Sequence, residues 1–363
     1  MLNAKTLLTM LATLAAVLLA GPVHAELSSL PPLDIPAEAL QSRLSQDHNQ
    51  LITARIKAVF DAMVRAEDDQ AVLQARNQLL DDYARYKNVN YQLTFADVVA
   101  YLAGPMLDIE NPVFQVNLAW ALANMPQVTI QPAMDKMVMH PNSAVRYLGW
   151  RGYRQIRMLV LAQGTGFSAR MLDELDKAAK SEESWYVMPS IYRMLYIEPD
   201  RPSFVMVDIF EQARLRCLDI LKQAWTRQCV ALLKGSEPAA RAGGAAVLTL
   251  RLVAESYPKD DSFVQMVIDM LWSCAKAYED SGGEGPLAET LTPVLISGEE
   301  LVNFLTKARR NPLGLALMER DTERRSLAVR LGAASWLAEL KANGFSLEDP
   351  QTHLSLPESD GSD

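Results

Sequence analysis

Apolar residues recur along this chain at steps of three, four and seven, the spacing of one helix face. Leu40, Leu44, Leu51, Ala58 and Val59 predict a long first helix. A second starts at Asp68-Asp69 and turns Val72, Leu73, Leu79, Leu80 and Tyr83 inward. Thr94-Phe95-Ala96-Asp97 reads as a cap ahead of Val98, Val99 and Leu102. Pro112, Pro132, Pro141 and Pro238 each stand just inside an expected helix start, where a missing N–H takes nothing from the hydrogen-bond ladder. Ser297-Gly298-Glu299-Glu300 has the form of a capping box before Leu301, Val302, Phe304 and Leu305. Gly164, Gly235 and Ser281-Gly282-Gly283 mark stops. No alternating run bounded by hairpin residues occurs, and Val128-Thr129-Ile130 is too short to carry a sheet. The expected fold class is all-α.

The two ends read differently. Lys5, the uncharged apolar run Thr6 to Ala20 and the small residues around Val23-His24-Ala25 form the three-part pattern of a secretory signal peptide over residues 1–25. The apolar run falls short of the ~20 residues needed to span a bilayer. Cleavage after Ala25 is expected to leave no transmembrane segment, and no Cys follows the run to take a lipid anchor. An exported protein of the periplasm or cell envelope is the expectation, with release to the medium as the variant. Residues 26–36 are a Pro-rich lead with nothing to pack a core. A helical block over 37–278, a Gly-rich loop over 279–291 and C-terminal helices over 292–344 follow. Residues 345–363 carry Glu348, Asp349, Glu358, Asp360 and Asp363 and no Lys or Arg, so they read as a disordered acidic tail.

Charge narrows the partners. The formal net charge is -9, which argues against nucleic acid. Cys217, Cys229 and Cys274 are too few for a disulfide scaffold and read as buried thiols. His48, His140 and His353 share no metal-ligand spacing, and His140 borders the turn at Pro141. No metal, cofactor or nucleotide motif is present in the sequence. The acidic pairs Asp68-Asp69, Asp81-Asp82, Glu182-Glu183, Asp260-Asp261 and Glu299-Glu300 read mostly as helix caps. Lys307 to Arg330 is a second basic stretch, interrupted by acids and read as a solvated, salt-bridged face.

Against that background one stretch stands out. Lys136 to Arg170 contains no Asp or Glu, and arginines alternate with aromatic rings inside it. At ~100° per residue, Val145, Leu148, Gly149, Gly152, Ile156 and Leu159 gather on one arc. Arg146, Trp150, Tyr153 and Arg157 fall opposite, flanked by Tyr147, Arg151 and Arg154. The two glycines allow a neighbouring helix to come close. Guanidinium forks suit carboxylates, sulfates and phosphates, and rings suit sugars or cations. These seven residues are the candidate binding face, for an anionic glycan or a protein partner. The competing reading is internal, with the rings packed on a neighbouring helix and the arginines laddered to acids.

Asn111-Pro112-Val113 to Trp120 parallels His140-Pro141-Asn142 to Trp150, and the runs at Glu237 and Arg325 have a similar small-residue, Arg-bearing character. His140-Pro141-Asn142-Ser143-Ala144-Val145-Arg146 resembles the start of the inner helix of a HEAT-type repeat. The resemblance implies an irregular HEAT-like α-solenoid of antiparallel helix pairs, used for binding. The functional expectation is a non-catalytic binding or scaffold protein. The alternative is an all-α enzyme acting on an anionic polysaccharide in a lyase-like way, with Tyr147 or Tyr153 moving the proton beside arginines that lower its pKa.

Overall fold

The computed structural model describes residues 30, 32–40, 44–256 and 260–354. The expected signal peptide and residues 355–363 lie outside them. The described chain is all-helical, with 16 α-helices packed against one another and no strand. It divides into two compact units, the first ending at Val160 and the second beginning at Leu161. The division thus falls well before the Gly-rich stretch at 279.

The first unit contains α1 (Ala37–Leu40), α2 (Gln46–Arg65), α3 (Asp69–Ala84), α4 (Val89–Met106), α5 (Pro112–Ala123), α6 (Gln131–Val138) and α7 (Ser143–Ala162), the last running just past the boundary. Side-chain oxygens of Ser45, Asp68, Asn88 and Asn111 accept first-turn N–H groups and fix four of these starts. The expected long first helix is therefore interrupted before Ser45. The cap expected at Thr94 lies inside α4, whose true cap is Asn88. Val128–Ile130 is a 3-10 turn. Within the Pro-rich lead, Leu33 and Ile35 are buried. The Tyr86 hydroxyl holds them, donating to Leu33 O and accepting from Ile35 N, both at 3.0 Å.

Contacts sort these helices into two rows. α2 packs on α4 and α4 on α6, while α3 packs on α5. Arg76 meets Asn117 and Tyr83 meets Gln127, so position advances in the same sense along α3 and α5. Asn142 meets Gln115 and Arg151 meets Trp120, which continues that row to α7. Between α2 and α3 the Arg55 guanidinium forks onto buried Asp82, at 2.6 Å from Nε and 3.1 Å from Nη2. Asp82 thus balances a buried charge and is no helix cap.

The second unit contains α8 (Thr165–Ser181), α9 (Met188–Leu195), α10 (Val207–Leu233), α11 (Glu237–Ser256), α12 (Asp261–Asp280), α13 (Gly285–Thr306), α14 (Pro312–Leu317), α15 (Thr322–Ala342) and α16 (Pro350–His353). α8, α10, α12 and α15 form one row, and α9, α11 and α13 another. α12 lies between α10 and α15 with α13 behind it, and residues on every side of it are buried. An all-round apolar helix finds its place in such a centre. Gly298 on α13 makes the closest approach, since a Cβ there would stand 2.6 Å from Leu271 Cδ2.

Several sequence expectations change here. The Gly-rich loop shrinks to Ser281–Glu284, where Gly282 and Gly283 take φ of 72° and 70°, and α13 begins at once. Ser297–Glu300 lies inside α13. The buried Glu299 carboxylate caps a different helix, accepting from Leu313 N at 2.7 Å, Gly314 N at 2.9 Å and Trp336 Nε1 at 2.9 Å. The first ten residues of the expected disordered tail, 345–354, dock on α12. Ser346 N donates to Asp261, Gln265 exchanges hydrogen bonds with the Glu348 backbone, and His353 Nδ1 lies 2.8 Å from buried Asp269. Leu347, Pro350 and Leu354 supply the apolar contact that composition alone understated.

Candidate functional site

The start of α7 is set by its turn. Asn142 Oδ1 accepts from Ala144 N at 3.0 Å. His140 is buried, with Nδ1 accepting from Asn142 N at 3.0 Å and Nε2 at 3.0 Å from Leu107 O. Nδ1 must then be the bare nitrogen and Nε2 the donor, so this imidazole is a turn element. Arg146 reaches back to the carbonyls of His140 and Pro141, both at 2.9 Å.

Gly149 and Gly152 do what their spacing suggested. A Cβ at Gly149 would meet Met137 and Val138 at 3.0 Å, and one at Gly152 would meet Met134 Sδ at 2.6 Å and Ala123 Cα at 3.2 Å. The helix therefore beds closely on α6 and the end of α5. Met134 and Met137 are core, whereas Met139 is exposed.

The expected outer face splits. Trp150, Tyr153 and Arg157 are buried, at 0 %, 0 % and 7 % exposure. The Trp150 and Tyr153 rings lie 5.9 Å apart, and the Tyr153 hydroxyl donates to Asp135. Tyr153 is thus removed from the surface where a polysaccharide would be met. On the wheel, the covered arc spans about 220°, wider than the apolar residues alone define. Tyr147, Arg151 and Arg154, at i, i+4 and i+7, lie on the remaining open stripe, half-buried, half-buried and exposed. The seven candidates divide into these three and the four at the turn or in the interior.

The open stripe gains two members that the sequence reading missed. Trp120 on α5 lies under the Arg151 guanidinium at 4.7 Å and the Arg76 guanidinium at 5.5 Å. Arg76 donates to Asn117 Oδ1 at 3.1 Å and to Asn77 Oδ1 at 3.2 and 2.8 Å, and Asn117 is steadied on Val113 O at 2.9 Å. Partial burial lowers the Arg76 pKa from the usual arginine value, yet a guanidinium stays cationic. Among the described residues no carboxylate pairs with Arg76, Arg151 or Arg154. The signal for Trp120 was its place in the run that parallels His140–Trp150. Arg76 carried no signal, because only the packing of α3 on α5 brings it there.

The site therefore consists of one indole contacted by two guanidiniums, a third guanidinium farther along α7 and amide groups nearby. That arrangement offers hydrogen-bond donors and positive charge to an anion. Among the described residues no His, Cys, Asp and Glu group could hold a metal, and no helix is long and apolar enough to cross a membrane. Cys217 and Cys229 share α10, and all three cysteines are buried thiols outside any disulfide. Burial raises the Cys229 and Cys274 pKa values, which opposes thiolate chemistry. No protein-family model matches the chain, and no curated protein matches it in sequence.

Proposed function

We propose that this is an exported binding or scaffold protein of the cell envelope that engages an anionic partner through Arg76, Trp120, Tyr147, Arg151 and Arg154. The observation that carries the reading is the Arg76–Trp120–Arg151 stack, three side chains from three helices with no carboxylate among the described residues to neutralise them. Cations left without acids in a chain of net charge -9 favour an acidic ligand. An acidic protein segment or an acidic glycan fits. The two-row contacts of each unit accord with an irregular HEAT-like solenoid of antiparallel helix pairs, whose row of parallel helices would carry the site. The exported location rests on the pattern of residues 1–25.

Retention on immobilised dextran sulfate tests the site. The wild type is expected to bind at low salt and to elute as salt rises, because exposed charge interactions fade as the Debye length falls from ~8 Å to ~3 Å at 1 M. The double variant Arg151→Glu, Arg154→Glu is expected to flow through with a nearly unchanged melting temperature. Equal retention of both proteins would dismiss the site. N-terminal sequencing of exported protein should begin at Glu26, and intact Met1 in a membrane fraction would reverse the location.

A further inference from the structure

The second unit holds a cleft of about 320 Å³ among the end of α8, the C-terminal part of α10 and the start of α11. Its floor is small and apolar, built by Ala179, Ala224, Ala231 and Ala239. Trp185 also lines it, with 42 % of its surface exposed.

Hydrogen bonding around the cleft is lopsided. The terminal nitrogens of Arg227 and the amide nitrogen of Gln228 already have partners. Arg227 directs Nη1 to Ala179 O at 3.1 Å and Nη2 to Glu182 O at 3.0 Å. Gln228 gives its amide nitrogen to Ala239 O, and Ala239 N is capped by Ser236 Oγ at 3.3 Å. Glu182 Oε1 is taken by the Glu183 and Ser184 N–H groups, but two other acceptors are open. Gln228 is only 6 % exposed, and its Oε1 accepts from no described residue. Glu183 is exposed, and its carboxylate has no ion-pair partner among the described residues. The lining also holds two carboxylates, Glu182 and Glu183, against the single guanidinium of Arg227, so an anion would meet a net negative wall. A cation would satisfy both open acceptors. The Trp185 ring already takes one guanidinium, that of Arg241 at 5.4 Å, so it serves as a cation surface here.

We propose that this cleft binds an organic cation, an alkylammonium or guanidinium group. Its N–H donors meet Gln228 Oε1 and the Glu183 carboxylate, and its alkyl stem lies on the alanine floor beside Trp185. The group could belong to a free amine or to a basic side chain of a partner, and the same chemistry serves both. The site is separate from the anion-binding surface of the first unit.

Calorimetric titration of the full chain with 1,5-diaminopentane, at low salt, tests it. One equivalent should bind the wild type, and neither pentan-1-ol nor acetate should. Glu183→Gln, a surface change that leaves the fold in place, should weaken binding about tenfold, the scale of one charge-assisted hydrogen bond. Gln228→Met should remove binding, with melting temperature measured alongside because Gln228 also holds Ala239. A capped lysine pentapeptide binding more tightly than the diamine identifies a protein side chain as the ligand; the reverse order identifies a free amine. Absence of diamine binding to the wild type, equal affinity in Glu183→Gln, or binding of acetate would each overturn the proposal.

Discussion

Asp82 in the first unit and Asp269 and Glu299 in the second are equally buried, each about 2 % exposed, but they are held in different ways. Asp82 faces a permanent cation, the forked Arg55 guanidinium. Glu299 faces only dipoles, two backbone N–H groups and an indole. Asp269 has an amide from Gln265 at 2.7 Å and the titratable ring of His353. The difference extends to the surfaces. The first unit presents guanidiniums without acids, and the second has a cleft of open acceptors. Asp269, buried and held by an amide and an imidazole, should make stability respond to pH.

The largest expected effect comes from breaking the fixed pair. Arg55→Met leaves Asp82 buried without its main counter-charge and should lower unfolding free energy by about 3–5 kcal/mol. Adding Asp82→Leu should recover most of that loss. Urea titration of the three proteins reads it, and a double variant no better than the single would show that the pair does more than balance charge.

Glu299→Ala comes next. It orphans three donors at once, and the expected loss is about 2–4 kcal/mol. Faster hydrogen exchange at Leu313 and Gly314 would locate the damage at α14. Unchanged exchange there would mean the helix start is satisfied some other way.

Asp269 supplies the pH test. Burial raises its pKa above the usual carboxylate value, and Gln265 and His353 only partly offset this. The group's contribution to stability is therefore fully present below the unfolded value near ~3.9 and falls as pH rises through the raised folded value. Against Asp269→Asn, the wild type should lose about 1.4 kcal/mol for each pKa unit between the two values. Denaturant titrations from acid to neutral pH would show it, and a constant difference would contradict it.

The smallest effect on stability belongs to the open stripe. Arg151→Glu with Arg154→Glu should stay within about 1 kcal/mol of the wild type in urea, the scale of the one cation–π contact it removes. A loss of several kcal/mol would mean that the stripe is packed and that its supposed openness is wrong.

What could be read in the sequence was local. Asp68 and Asp260 cap helices through N–H groups two or three residues on, so their neighbours betray them. Glu299 serves a helix start 14 residues later, and its capping-box surroundings signalled a start in the interior of one continuous helix. The wheel gave correct relative angles for Trp150, Tyr153 and Arg154 but not the directions from which other helices approach. Close packing at Gly149 and Gly152 widened the covered arc and took Trp150 and Tyr153 with it. Arg76 and Trp120 belong to other helices, and tertiary contact alone assembles them with Arg151. The docking of residues 345–354 was hidden because three apolar residues among acids look like a solvated tail until α12 offers them a surface.

That docking also orders events in time. His353 and its partner Asp269 are 84 residues apart in the chain. At a synthesis rate of ~5–20 residues per second, α12 emerges about 4–17 s before the segment that completes its surface. During that interval Asp269 has neither imidazole nor covering backbone. A chaperone would meet the second unit with α12 uncovered along one side, a state of the newborn chain that the finished molecule no longer displays.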